Sequence, residues 1–407
     1  MARVDALAAC SESPRALTRR YLTPEHRCAN ARVSEWMRAA GMRVHIDAVG
    51  NVVGRYEASS PGAPALVAGS HLDTVRDAGR YDGMLGVVLP VACIGELHRR
   101  GERLPFAVEV VGFGDEEGVR FESTLLGSRA VAGTLDPALL GATDTEGMTL
   151  AQALREFGLD PARIGEAARR PQDVLGYLEV HIEQGPVLEA EGLPVGIVTT
   201  IAGATRLAVT LTGRAGHAGT VPMSMRRDAL AASAAAVVAV ERRCRAEEGL
   251  VGTVGRLEVH PGAVNVIPGE VRFTVDVRSA DDARRAAAAA DIIAAIEDIA
   301  RERGVACAVR ELHVHPSCTC SPWLASQLEA AVAAEGLTVR RLPSGAGHDA
   351  MALAALTDVA MLFVRCKEGV SHHPAESITT EDAAVAARVF LSLLRGFRPF
   401  GAAAASP

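Results

Sequence analysis

Apolar positions recur at helical spacing through Ala29, Val33, Trp36 and Met37, which predicts a helix over residues 12–40. From Val44 to Tyr56 the pattern changes to alternation and predicts strands around Gly50-Asn51. The run Pro64-Ala65-Leu66-Val67-Ala68 is apolar throughout, as in a buried strand. A helix over 86–100 follows, marked by Leu85, Val87, Val88 and Val91. FAVEVVGF (106–113) and GYLEVHI (176–182) predict two more buried strands, with a mostly helical, loop-broken stretch over 125–170 between them.

Near residue 204 the rhythm changes. RLAVTLTG (206–213) alternates as a half-buried strand, a helix is predicted over 226–246, and strands over 250–260 and 271–279. A long amphipathic helix over 281–303 and a strand over 305–314 complete the order β-α-β-β-α-β, the split βαβ arrangement. After 320 the α/β pattern resumes: a helix over 322–336, a short strand near 338–342, the glycine-rich turn SGAGHDA, a strand over 358–364 and a helix over 380–395. The tail GAAAASP is expected to be disordered. The expected fold is therefore α/β. A mostly parallel sheet flanked by helices is built from residues 1–203 and 317–407, and an α+β domain of residues 204–316 is inserted in it.

Composition narrows the function. A chain of 407 residues exceeds what one core usually serves, in keeping with two domains. The formal net charge of −7 leaves no basic surplus for nucleic acid. Arg, Asp and Glu break every alanine-rich run, so no membrane span is expected. The N-terminus MARVDALAACSESPR lacks the apolar centre of a signal peptide. Eight cysteines without a framework predict free thiols in a reducing cytoplasm.

Candidate chemistry gathers at strand ends. ALVAGSHLD, VEVVGFGDEE, YLEVHIEQ and AMLFVRCKEGVSHHP each run from an apolar strand straight into His or acid. Open α/β sheets bind ligands beyond the carboxyl ends of their strands. This gathers His71, Asp82, Glu116, Glu117, His181 and His372 or His373 around one crevice. Each alone has an ordinary explanation, such as a satisfied histidine or an acidic helix start. Together they supply the imidazoles and carboxylates that suit two divalent ions. Such a pair can activate water and polarise a carbonyl. In the Glu116-Glu117 pair, one carboxylate can bind metal while its neighbour stays free as a base.

The segments GSHLDTV, DGMLGV, GDEEGVRF, LLGSRA, HIEQGPVLE, GHAGTVPM, NVIPG, SGAGHDA and SHHPAE resemble the amidase/carbamoylase branch of the M20 metallopeptidase-like hydrolases, across residues 69 to 376. The resemblance implies a metal-dependent amidohydrolase acting on a small ureido acid. The first expectation is allantoate. N-carbamoyl-L-amino acids or β-ureidopropionate follow, and a dipeptide or N-acyl amino acid is a more distant alternative. It implies His71, Asp82, Glu117, His181 and His372 as ligands of two divalent cations, with Asp82 bridging. Zinc or manganese is expected, and cobalt or nickel would fit. Glu116 matches the catalytic base, and Asp73 a carboxylate that orients His71. Gln184, His217, Asn265 and Arg278 match substrate-binding positions, with Gly345, Ala346 and Gly347 as a backbone cradle. His373 stands where the family carries Asn, which leaves His372 and His373 as alternatives, with His372 favoured by its place in the motif. The expected assembly is a homodimer formed through the inserted domain.

Three of these residues also have plainer readings. Arg278 can hold a carboxylate in a bidentate fork or pair with Asp276 or Asp281 on the surface. His217 can approach an oxyanion or simply sit in a turn, and Asn265 can be a turn former. Arg76, Asp77, Arg80, Arg120, Gln184, Arg365, Lys367 and Glu368 lie near the motifs, which suggests a pocket suited to a polar substrate arm.

Overall fold

The computed structural model describes residues 1–400, so the GAAAASP tail lies outside the described residues. In chain order the first elements are α1 (Ala2–Ala8), α2 (Pro24–Ala39), β1 (Arg43–Ile46), β2 (Val52–Tyr56), β3 (Ala65–His71), α3 (Met84–Arg99) and β4 (Ala107–Phe113). They are followed by α4 (Leu126–Val131), α5 (Leu150–Glu156), β5 (Val174–Ile182), α6 (Val187–Ala190) and β6 (Val195–Ile201). Next come β7 (Gly203–Thr212), β8 (Gly216–His217), α7 (Ala229–Arg245), β9 (Leu250–Thr253), β10 (Leu257–His260), β11 (Val266–Ile267), β12 (Glu270–Ser279), α8 (Asp282–Glu302) and β13 (Ala306–His315). The chain closes with β14 (Cys318–Thr319), α9 (Pro322–Ala334), β15 (Arg341–Ser344), α10 (Asp349–Leu353), β16 (Val359–Val364) and α11 (Thr380–Gly396). Two compact units result. One comprises Met1–Thr199, Cys320–Leu342 and His348 onward; the other comprises Thr200–Thr319 and Pro343–Gly347.

The first unit is built on a sheet that runs β1-β2-β4-β3-β5-β16-β6. Its four central strands, β4-β3-β5-β16, are parallel, and the strands outside them pair antiparallel. Every residue of β3, β4 and β16 is buried. This is why these strands read as unbroken apolar runs: helices cover both faces of a parallel sheet. One face packs under α3, whose Met84, Val87, Val91 and Ile94 join Leu66, Val108, Val180 and Leu362 in the main core. On the other face α10 packs against β5, β16 and α4. The four parallel strands are the ones that end in His or acid.

The second unit is a sheet in the order β10-β12-β7-β13, with β9 also on β12 and every pairing antiparallel. Strand β12 alternates Val271, Phe273, Val275 and Val277 inward with Arg272, Thr274, Asp276 and Arg278 outward. The inward set packs on α7 and α8 through Ala232, Ala236, Val240, Ile292 and Ile296. The opposite face of this sheet carries the polar residues.

Several local expectations are corrected. The first long helix begins at Pro24, with Thr23 Oγ1 accepting the His26 N–H at 3.2 Å. Residues 12–23 are not helical, because Pro14 disfavours a helical Ser13 and Ser11 Oγ accepts the Ser13 and Thr18 N–H groups. Residues 250–260 form two strands, β9 and β10, divided around Gly255. The cysteines are not all free: Cys10 and Cys28 form a disulfide that joins the α1 end to α2, whereas Cys93, Cys244, Cys307, Cys318 and Cys366 are free thiols. The two lie 18 residues apart with their Cα atoms 5.8 Å from each other, and α1 and α2 both pack on α3. Among the described residues no helix is long and apolar enough to cross a membrane.

The parallel core imposes one tight constraint. A Cβ at Gly69 would collide with the Val111 carbonyl oxygen of the adjoining strand. Gly69→Ala is therefore expected to lower stability by about 1–3 kcal/mol, as overpacking does. Gly141→Ala, with nothing within 4 Å of the added carbon, should stay within about 0.5 kcal/mol of the wild type. Denaturant unfolding of both variants checks this, and equal stabilities would refute it.

Candidate active site

The carboxyl ends of β4, β3, β5 and β16 deliver the cluster. His71 closes β3, His181 lies one residue before the end of β5, Glu116-Glu117 follow β4, and His372 follows β16. Asp82 comes from the loop between β3 and α3. Its Oδ1 stands 3.2 Å from His181 Nε2 and 3.6 Å from His71 Nε2, and its Oδ2 stands 3.1 Å from His372 Nε2. Glu117 Oε1 lies 3.7 Å from His372 Nε2, and Glu116 Oε2 lies 4.0 Å from His71 Nε2. His373 instead takes the Ala375 N–H on its Nδ1 and stands clear of Asp82.

The buried imidazoles are turned by their backbone contacts. His71 Nδ1 meets the Asp73 carbonyl oxygen at 2.9 Å, and His181 Nδ1 meets the Ile182 carbonyl oxygen at 2.9 Å. Each Nδ1 therefore donates to a carbonyl, which turns both Nε2 atoms toward Asp82. Metal-binding histidines are held the same way. Asp73 orients His71 with its main chain: its carboxylate is 3.9 Å from the ring and accepts the Glu116 and Glu117 N–H groups at 3.1 and 3.2 Å. The carboxylate thus fixes the turn that presents the adjacent glutamates.

Charge is concentrated here. Burial pushes the Asp82 carboxyl up, but hydrogen bonds from His181, His372 and His71 outweigh burial and hold it well below the usual carboxylate range. Burial and the Asp82 charge push Glu117 up to about 7. Burial also drives Glu116 well above its ordinary value, against the pull of His71. The hydrogen bond to Asp82 lifts His372 to about 9. Such a cluster must either share protons or hold cations, and buried acids and imidazoles with converging lone pairs fit divalent metal ions. The donor groups His71/Asp82/His181 and Asp82/Glu117/His372 each converge within 4.8 Å, and they share Asp82.

Two supporting acids escaped the sequence reading. Buried Glu376 accepts the Tyr81 and Asp82 N–H groups on Oε1 at 2.8 and 3.0 Å, and the Ser371 hydroxyl on Oε2 at 2.9 Å. It ties the loop of Asp82 to the loop of His372. Glu179 accepts the Ser70 hydroxyl at 2.7 Å and the Ala350 N–H at 3.0 Å, which links β3, β5 and α10. Buried His348, in the SGAGHDA turn, stands at the N-cap position of α10 with its ring 4.5 Å from that of His181. Glu376 sits inside the SHHPAE segment, whereas nothing in the pattern around Glu179 marks it. Gln184, Asp115 and His372 adopt left-handed backbone at φ 57°, 62° and 54°, strain that concentrates at functional loops. Gly83 adopts φ 71°, and any side chain there would strike the His71 ring.

Gln184 belongs to the cluster: its Nε2 donates to Asp82 Oδ2 at 3.2 Å and to Ser371 Oγ at 3.1 Å. Three of the charged residues expected around a polar pocket are engaged elsewhere. Arg120 pairs with Asp144 at 3.1 Å, Arg365 with Asp382 at 2.7 Å, and Arg80 with Asp5 at 2.7 Å. Sequence proximity to the motifs misled here, because these side chains turn away to fasten neighbouring loops and helices.

His217, Asn265, Arg278, Gly345 and Ala346 belong to the second unit. His217 and Asn265 are neighbours, through the pairing of His217 with Val266 and the Ala218 N–H bond to the Asn265 carbonyl oxygen at 2.9 Å. Both are exposed. Arg278 lies at the other end of β12, roughly 26 Å along the strand from Glu270, with its Nε and Nη2 on Asp276 and its Nη1 on the Gly345 carbonyl oxygen at 2.9 Å. The Ala346 N–H meets Ser344 Oγ at 3.2 Å.

Residues 41–396 match the Peptidase family M20/M25/M40. The chain is 45% identical over 373 residues to the N-carbamoyl-L-amino acid amidohydrolase of Geobacillus stearothermophilus, covering 92% of this chain and 91% of that protein. It is 41% identical over 425 residues to allantoate deiminase 1 of Glycine max, covering 97% and 88%. The crystal structure of an amidase of the hydantoinase/carbamoylase family from Burkholderia multivorans superposes with a TM-score of 0.89 at 33% identity, covering 97% of this chain and 95% of that one. With its parallel core, its separate antiparallel sheet and its acid-imidazole cluster, the chain belongs to the M20 peptidase family, in the hydantoinase/carbamoylase amidase branch. It is a hydrolase of non-peptide carbon–nitrogen bonds, of the carbamoylase and allantoate deiminase type.

Proposed function

We propose that this enzyme hydrolyses the ureido C–N bond of allantoate, consuming one water and releasing ammonia, carbon dioxide and ureidoglycine. The single observation that carries the hydrolytic reading is Asp82, shared by two converging donor groups with Glu116 beside them. His71, His181 and Asp82, with Glu117 and His372, would hold two divalent ions, zinc or manganese. The ions would supply Lewis acidity and a more acidic water. Glu116 takes a proton from the attacking water and hands it to the leaving nitrogen. His217 hydrogen-bonds the oxyanion of the tetrahedral intermediate, and Gln184 and Asn265 orient the ureido group. Arg278 anchors the carboxylate beside the Gly345-Ala346 backbone. With three of its five N–H groups engaged by Asp276 and Gly345, its guanidinium keeps two for a substrate.

Two observations bear on the substrate. The allantoate deiminase similarity extends over 97% of the chain, and the Arg278 surroundings include Arg206, Thr253 and Thr274, which suit a polar arm. N-carbamoyl-L-amino acids are the second reading, favoured by the 45% identity to a carbamoylase and by the apolar Val251 and Leu312 in the same cavity. In either reading the enzyme acts in the cytoplasm, which the free thiols of Cys93, Cys244, Cys307, Cys318 and Cys366 support and the Cys10–Cys28 bond opposes.

An exposed apolar patch supports a homodimer formed through the second unit. Exposed Met223, Met225 and Val264 adjoin His217 and Asn265, an apolar patch of the kind that interfaces cover. A ureido acid is too small to touch both ends of β12, so a substrate held by Arg278 would meet the partner subunit's His217.

Three outcomes are expected. With metal-loaded enzyme, kcat/KM for allantoate should exceed that for N-carbamoyl-methionine and β-ureidopropionate; a preference for either of the latter replaces the substrate assignment. Glu116→Gln should retain its metal and lose about 10²–10⁴-fold in kcat, and near-normal turnover at normal metal content would remove Glu116 as the base. Mixing His217→Ala with Glu116→Gln subunits should restore activity, since one site of the mixed dimer then has both groups. No recovery after confirmed subunit exchange would mean that each subunit uses its own His217.

A further inference from the structure

The open face of the second sheet holds a cavity of about 540 Å³, a volume suited to a small molecule. Its charged lining residues are Arg206, Asp276 and Arg278. Strand register makes the cluster. Asp276 faces Arg206 on β7 and Thr253 on β9, and Thr274 and Arg278 flank it two residues away on the same face. Both guanidiniums converge on the one carboxylate. Arg206 Nε reaches Asp276 Oδ2 at 2.9 Å, and Arg278 Nε and Nη2 reach Oδ1 and Oδ2 at 2.8 and 3.1 Å. Burial raises the Asp276 carboxyl, but the hydrogen bonds from Arg278 and Arg206 outweigh it and keep it ionised. Two cations and one anion leave the cavity a single positive charge.

We propose that this face is the specificity pocket for the substrate's acid end and side arm, in which the shared Asp276 admits one carboxylate and requires the arm to be uncharged. The inference rests on the reading of Arg278 as the carboxylate anchor. One substrate carboxylate on Arg278 matches the remaining positive charge. A second anionic group would then meet Asp276 with no cation left over, and like charges placed together are strongly disfavoured. A neutral amide or ureido arm has no such conflict and finds the Thr253 and Thr274 hydroxyls alongside. Arg206 and Asp276 are thus specificity determinants outside the metal cluster. They act on which arm is accepted and leave the bond-breaking step alone.

The test compares two ligands of nearly equal shape, N-carbamoyl-L-asparagine and N-carbamoyl-L-aspartate, with the metal-loaded full chain. Each is measured by kcat/KM, or by Ki against allantoate where turnover is slow. The wild type should favour the neutral arm by at least about tenfold. Asp276→Asn should erase or reverse that ratio by improving the dianion, and Arg206→Gln should shift it the opposite way. Should Asp276→Asn fail to fold, the direction of the Arg206→Gln shift decides. No discrimination by the wild type, weakening of both ligands alike in each variant, or binding of neither would overturn the pocket assignment. If no ureido acid, allantoate included, is hydrolysed, the proposed function itself falls.

Discussion

The structure depends on Asp82 being held as a buried anion. Its side chain is 4% exposed, three imidazoles converge on its two oxygens, and its own backbone N–H is fixed by Glu376. Removing one partner from a buried charge pair typically costs about 3–5 kcal/mol, because the other charge is left unmatched. The fold spreads that risk. The four parallel strands bring His71, His181 and the loops of Glu116-Glu117 and His372 from separate parts of the chain to one edge. Each arrives with a local device, such as a carbonyl on Nδ1 or a glycine beneath the ring. The cluster is therefore preorganised by the scaffold, which suits a site whose chemistry relies on fixed charge.

Acids and bases here are separated by what surrounds them. Asp82 is kept ionised by imidazoles, while Glu116, in the same crevice, is pushed by burial toward holding a proton. Two carboxylates whose environments drive them apart can divide the labour of metal binding and proton transfer. Asp73 makes the division geometric as well, because its carboxylate holds the backbone of the turn that sets Glu116 apart from Glu117. In the second unit a single carboxylate again gathers its donors: Asp276 organises two guanidiniums.

Much of this was legible in the sequence, for identifiable reasons. A strand buried on both faces must be apolar throughout, so β3, β4, β5 and β16 announced themselves, and polar residues at their ends stood out against that background. Alternation along β7 and β12 gave the second sheet, since one face packs on helices and the other does not. The order of strands and helices was enough for the split βαβ arrangement, and the motifs were enough for the family. Periodicity failed where local chemistry overrode it. Pro14 and the serine side chains kept residues 12–23 from becoming helical, and Gly255 marked a break in what alternation presented as one strand.

Tertiary structure alone decided the pairings. Nothing local distinguishes Arg120 or Arg365, which are fastened to Asp144 and Asp382, from Arg278, which keeps donors to spare. Glu376 and Glu179 look like ordinary acids until the fold buries them against backbone N–H groups from distant loops. The Cys10–Cys28 bond depended on α1 and α2 both docking on α3. The physical reason is the same in each case. A sequence pattern reports burial and spacing along one chain segment, whereas the partner of a charge, an amide or a thiol is set by which distant segments the packed fold brings within hydrogen-bond reach.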